Sequence, residues 1–258
     1  MTTVSDILQY LETLAPRDMK MDWDNVGLLC GSRAASVTKV LLALDPFEHV
    51  CREAADWGAE LMVTHHPLIF QPVKSVTDET SVGRGLMTLC RHGISAINAH
   101  TNLDCAPGGV NDVLAESLGL TDISVIPCEE GPCGLLRCGT VREQSLAEFL
   151  CHVKSALGCD GLRYVNCERP VHRVAVGGGA CADMLADAAA AGCDTFVTAD
   201  VKYNQFWDAK ELGLNLIDAG HFATENPVIP VLAAKIAAKF PEIQVKISET
   251  HGDCMKFY

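Results

Sequence analysis

The 258-residue chain contains no uncharged apolar run of membrane-spanning length, so a helical membrane anchor is not expected. Its first residues, MTTVSDILQYLETLAP, have no basic n-region and carry acids, which argues against a signal peptide. No CxxC pair occurs among the thirteen cysteines, and their number is odd. A disulfide framework or zinc cluster is therefore poorly supported. Cys30, Cys90, Cys151 and Cys193 lie in apolar runs, where a thiol packs as a small hydrophobe. With no export signal, a reducing cytoplasm is the expected setting. Positive charge is also scarce: 20 Lys and Arg against 33 Asp and Glu give a net charge of −13. Such a surface repels phosphate backbones and anionic membranes, and a small phosphorylated ligand fits only where bound cations supply positive charge.

What the chain does have is ordinary globular composition, 48% hydrophobic and 21% charged, over a length that suits one large or two modest domains. Ile7, Leu8, Leu11 and Leu14 recur at helical spacing, with Thr3 and Asp6 placed to cap an N-terminal helix. The chain also aligns with itself. KVLLAL (39–44) matches RVAVGG (173–178), and GAELMVT (58–64) matches GCDTFVT (192–198), both at an offset of 134. GISAINAH (93–100) matches GLNLIDAGH (213–221) with one extra glycine.

Each half reads strand, helix, strand, helix, strand. Strands are expected near 39–45, 60–64 and 94–99, and again near 172–177, 194–199 and 214–218. Helices are expected near 47–57 and 82–92, then 181–191 and 203–212. Short strands that are apolar on both faces need helices on both faces and point to parallel sheets. The expected fold is α/β: two similar, interlinked domains with mostly parallel sheets flanked by helices, related by an internal pseudo-repeat. The first domain is drawn as 1–126 completed by 225–258, and the second as 127–224, with a turn-rich hinge at 127–134. LLRCGTV and QVKISE read as strands, and QSLAEFLCHVKSALG and VIPVLAAKIAAKF as helices.

In open parallel sheets, ligands gather beyond the carboxyl ends of strands. Here those ends read His65-His66, then His100 with Asp104 four residues on, then His221 with Glu225 four residues on. The second-half counterpart of the histidine pair is Ala199-Asp200, so the repeat itself does not demand these residues. Histidine nitrogens with carboxylate oxygens suit zinc, iron or manganese. Adjacent residues of an extended chain face opposite ways, so His65 and His66 suit two neighbouring ions, unless the turn at Pro67 rotates them together. Each residue also has a bland reading: Asp104 and Glu225 as helix-start residues, His49, His92, His152 and His172 as structural histidines. Three such strand ends together favour metal. The glycines at 177–179 lack dinucleotide spacing and fit a tight strand-to-helix turn.

WDNVGLLCG (23–31), VTHHPLIF (63–70), AHTNLDCAPGGVND (99–112) and DAGHFATE (218–225) resemble, in order, motifs of the NIF-three-like family of dinuclear metal-centre proteins, the GTP cyclohydrolase I type 2 homologues. The chain is similar to the compact form without an inserted domain. The resemblance implies His65, His66, Asp104, His221 and Glu225 as ligands of two divalent ions of unspecified identity. It places His66 with Asp104, His65 with His221, and Glu225 as the bridge, with His100 in the site wall and available as a catalytic proton carrier. It also implies a ring-shaped homohexamer. Asp24 and Asn25 fit either a substrate contact or a turn, and His251 lies in a tail only loosely like the family's closing motif. The expected function is hydrolysis of a nucleotide or related small substrate by metal-activated water. The alternative is a non-catalytic metal-bearing scaffold or regulatory partner.

Overall fold

The computed structural model of the protein describes residues 1–127 and 134–258, so the expected hinge lies outside the described residues except for its two ends. Along the chain run α1 (Val4–Leu14), β1 (Gly27–Cys30), β2 (Lys39–Ala43), α2 (Glu48–Trp57), β3 (Leu61–Thr64), α3 (Ser81–His92), β4 (Ser95–Asn98) and α4 (Thr101–Cys105). There follow α5 (Val110–Ser117), β5 (Thr121–Val125), β6 (Arg137–Gln144), α6 (Leu146–Leu157), β7 (Arg163–Val165), β8 (Val171–Val176), α7 (Leu185–Ala190) and β9 (Thr195–Thr198). The chain ends with α8 (Tyr203–Leu212), β10 (Asn215–Asp218), α9 (His221–Glu225), α10 (Val228–Lys239) and β11 (Gln244–Ile247). The chain folds as two compact units, Met1–Ala106 with Ile229–Gly252, and Pro107–Val228 with Asp253–Tyr258.

The first unit holds a five-stranded sheet in the order β1-β4-β3-β2-β11. Four strands are parallel and β1 is antiparallel to β4. Leu41, Ala43 and Met62 pack with Val50, Ala54, Leu86 and Leu89 of α2 and α3. Their neighbours Val40, Leu42, Leu61 and Val63 alternate to the other face and are just as buried. That double burial is why these strands read as continuous apolar runs. Thr3 and Asp6 form the expected capping box on α1.

The second unit holds a six-stranded sheet in the order β5-β6-β8-β9-β10-β7, with β8, β9 and β10 parallel. Val174, Val176, Val197 and Ile217 face Leu114, Phe149 and Val153, whereas Ala175, Phe196 and Leu216 face Leu185, Ala188 and Ala209.

The first unit ends at Ala106, earlier than the expected residue 126. Leu114, Ala115 and Leu118 share a core with the second sheet, and β5 pairs with β6. The return falls at Ile229, so α9 belongs to the second unit, and the chain rejoins the first sheet where β11 pairs with β2. The last six residues group with the second unit rather than the first.

Among the described residues, ten cysteines are free thiols, but Cys105 is disulfide-bonded. A disulfide framework was poorly supported by cysteine spacing, which does not report which sulfurs meet in space. No helix among the described residues is long and apolar enough to cross a membrane.

Candidate metal centre

In the first unit, β3 carries four buried residues into the histidine pair. The chain bends there: Thr64 Oγ1 donates to the His66 carbonyl at 2.7 Å, and the His66 N–H donates to Leu44 O at 2.9 Å. The bend brings the two imidazoles to one side, with centroids 4.8 Å apart and planes at 47°. The extended-chain expectation of opposite facing therefore gives way to its stated exception.

His65 is fully buried, and its Nδ1–H donates to Ala99 O at 2.9 Å. Its Nε2 faces Asp104 Oδ1 at 3.5 Å, so Asp104 stands with His65 rather than with His66 as the resemblance implied. His66 Nδ1 lies 2.6 Å from Asp45 Oδ1. His100 caps α4, the single turn that carries Asp104. Its Nδ1 lies 2.8 Å from Asp24 Oδ1, while the other Asp24 oxygen accepts from Thr101 N–H and Oγ1. Burial pushes the Asp24 carboxyl up, but hydrogen bonds from His100 and Thr101 outweigh it and set it at about 2. For Asp45 burial also opposes ionisation, and bonds from His251 and His66 hold it below the usual carboxylate range.

In the second unit, α9 is again one turn, with His221 and Glu225 at its ends. His221 Nδ1 lies 2.7 Å from Asp200 Oδ2, and its Nε2 lies 3.0 Å from Glu225 Oε2. Glu225 is only 4% exposed and rests in a glycine seat. Gly179 adopts φ +63°, and a Cβ there would lie 2.2 Å from Glu225 Oε1. The N–H groups of Gly178 and Gly179 donate to Asn111 Oδ1 and Thr224 Oγ1. The glycine run thus makes the expected tight turn and also clears room for a carboxylate.

One rule covers His65, His66, His100 and His221. Each engages an oxygen acceptor through Nδ1, which places the hydrogen there and leaves the Nε2 lone pair for a cation. Candidate ligand atoms of His65, His66 and His100 lie within 4.8 Å of one another, a set that can hold a metal ion. His92, His152 and His172 also bond backbone carbonyls, of Thr88, Leu118 and Val141, the first and last through Nδ1, but none of them joins a candidate metal group among the described residues, as expected of structural histidines.

Asp45 escaped the sequence reading, although its place in LLALDP, just after a buried strand, resembles that of the residues that were chosen. Asp200 entered only as the counterpart of a histidine, and Asp24 only as a possible substrate or turn residue. His251, set aside before, meets Asp45 Oδ2 at 3.0 Å.

The sequence pattern of one family, Duf34/NIF3 (NGG1p interacting factor 3), matches residues 2–253. The chain belongs to this family. A GTP cyclohydrolase 1 type 2 homolog of Clostridium perfringens is 36% identical, over 98% of this chain and 99% of that one. Among solved NIF3-fold structures, a Bacillus cereus protein related to NIF3 has a TM-score of 0.93 at 25% identity, covering 100% of this chain and 99% of its own. Staphylococcus aureus protein SA1388 has a TM-score of 0.90 at 29% identity, with the same coverage. The α/β architecture with two helix-flanked sheets is therefore that of the NIF3 family.

Proposed function

We propose that this NIF3-family chain is a dinuclear-metal-dependent hydrolase acting on a nucleotide or related small substrate in the cytoplasm, as a homohexamer. His65, His66, Asp104, His221 and Glu225 would hold two divalent ions, drawn from zinc, iron and manganese. The observation that carries the reading is convergence: candidate ligand atoms of His65, His66 and His100 lie within 4.8 Å of one another, on rings that are each anchored at Nδ1. The substrate class rests on the relatives' name, GTP cyclohydrolase 1 type 2 homolog.

Bound there, paired ions lower the pKa of a water towards neutrality and polarise a substrate oxygen. The chain's own residues then have separable tasks. His100, oriented by Asp24, can accept or return a proton at Nε2. Trp23 and Phe70, largely exposed, stand edge-on to His100 with centroids 6.1 and 6.3 Å away and give the substrate an apolar wall.

The test is elemental analysis of the isolated protein, then turnover of GTP and simple phosphoesters with manganese, iron and zinc added separately. Glu225→Ala should release both ions and abolish turnover; unchanged metal content or rate in that variant overturns the assignment. The second reading, a metal-bearing scaffold for a protein partner, draws on the interaction named in the family description and on the exposure of Trp23. Bound metal with no turnover under any ion favours it.

A further inference from the structure

Asp45, just beyond β2, engages two imidazoles, one on each oxygen: His66 Nδ1 on Oδ1 at 2.6 Å and His251 Nε2 on Oδ2 at 3.0 Å. With a hydrogen bond on Oδ1 and an imidazole nitrogen 3.0 Å from Oδ2, the carboxylate resists rotation about its Cβ–Cγ bond, so the plane of the His66 ring is set from behind. His251 stands near the end of the chain, where segments are usually loose, yet its side chain is only 5% exposed. It is walled by the rings of Phe47 and His49, at 5.9 and 6.1 Å between centroids.

The segment leading to it is tied to α2 by a single acid. Glu53 accepts from Ser248 Oγ at 2.5 Å, Glu249 N at 3.0 Å and Thr250 Oγ1 at 2.7 Å, and pairs with Lys246 Nζ at 3.2 Å. His251 N–H then donates to Ser248 Oγ at 3.2 Å, which turns the imidazole towards Asp45. These contacts all lie within the first unit. In the second half, the residue 134 positions after Asp45 is Gly179, so the arrangement is not a by-product of the repeat.

We propose that His251 is a positioning residue of the metal centre: acting through Asp45 it fixes the His66 ring, and the Glu53-bound segment that presents it is a working part of that centre. This rests on the hydrolase reading only in taking His66 as a ligand. The role is geometric, and no proton is passed.

Partners of this kind typically carry 10- to 100-fold in metal affinity. Chelator competition with zinc on the full-length chain should show one of the two ions bound about 10- to 100-fold more weakly in His251→Ala. In His251→Gln, whose amide N–H reaches the same carboxylate, most of that affinity should return. Glu53→Gln should match His251→Ala, and the double variant should be no worse than either. Wild-type zinc affinity in His251→Ala, or additive losses in the double variant, overturns the proposal.

A second readout needs no metal: in nitrogen NMR of labelled histidines, His251→Ala should mix the two tautomers of His66 and leave His172 unchanged. An unaltered His66 signal overturns the positioning role. Zinc-free wild-type protein would instead overturn the hydrolase reading, and the NMR comparison would still decide the role of His251. If His251→Ala does not fold, His251→Gln and Glu53→Gln carry the same comparison.

Discussion

The two units share a frame and differ where chemistry is placed. Val40 pairs with Leu61, and Val174 pairs with Thr195, each partner 134 residues further on. Glu60 accepts from the N–H groups of Thr38 and Lys39, and Asp194 accepts from those of His172 and Arg173, again 134 apart. Ala99 donates to Thr64 O, and Ala219 donates to Thr198 O. In both units the third strand runs into a single helical turn with an acid at its end, Asp104 or Glu225. Against this match, three positions diverge: Asp45 against Gly179, His65 against Ala199, and His66 against Asp200. Residues that satisfy the backbone repeat, because every copy of the frame exposes the same amides. Residues at the strand ends are released from that duty. In one unit they supply imidazoles and the acids behind them; in the other, room for Glu225 and a carboxylate to hold His221.

The comparison can be broken most severely at its sharpest contrast. Gly179→Asp copies the first unit's residue into the second, at a positive φ and where a Cβ already lies 2.2 Å from Glu225 Oε1. It should displace Glu225, lower the metal content that the proposed function expects, as read by elemental analysis, and cost about 1–3 kcal/mol in urea unfolding as overpacking does.

Next comes a matched pair. Glu60→Ala and Asp194→Ala each remove the acceptor of two backbone amides, and each should cost about 1–3 kcal/mol. Urea midpoints that differ widely would show that the two acids do not play the same part.

The smallest effect is also the cleanest. Gly58 and Gly192 end equivalent helical segments at φ +74° and +77°, with no atom within 3.8 Å of an added Cβ at either. Alanine there should cost about 1 kcal/mol, equally at both, because only backbone strain is added. Unequal melting temperatures would mean that packing enters one site and not the other.

Much of this frame was legible because its signals are local. The parallel strands are short apolar runs, and α8 falls on the expected 203–212, ended by Gly213 in the left-handed region. β1, β5 and β7 were missed: β1 has only four residues, and exposed residues dominate β5 and β7, so neither of those shows an apolar pattern. Missing β5, which pairs with β6, misplaced the first domain boundary. α4 and α9 are five residues each, too short to show a helical period, although they carry Asp104 and Glu225.

At the site, side-chain type singled out the histidines and their acids, because imidazole and carboxylate are the side chains that ligate such ions. The facing of His65 and His66 depended on a bend closed by Thr64, which alternation along a strand does not encode. The acids behind the imidazoles, Asp45 and Asp200, are distant in sequence from the rings they hold, so only the folded chain reveals them.

The first sheet is completed late. β11, residues 244–247, supplies the edge beyond β2, so nearly the whole chain must leave the ribosome before that edge is covered. Until then β2 presents a row of unpaired amides and carbonyls, the surface on which foreign strands dock. Most of the second unit, 107–228, is contiguous and emerges earlier. A nascent chain stalled before residue 244 would therefore hold a finished second sheet and an adhesive first one, and shortening the protein from its carboxyl end should yield aggregates rather than a smaller folded protein.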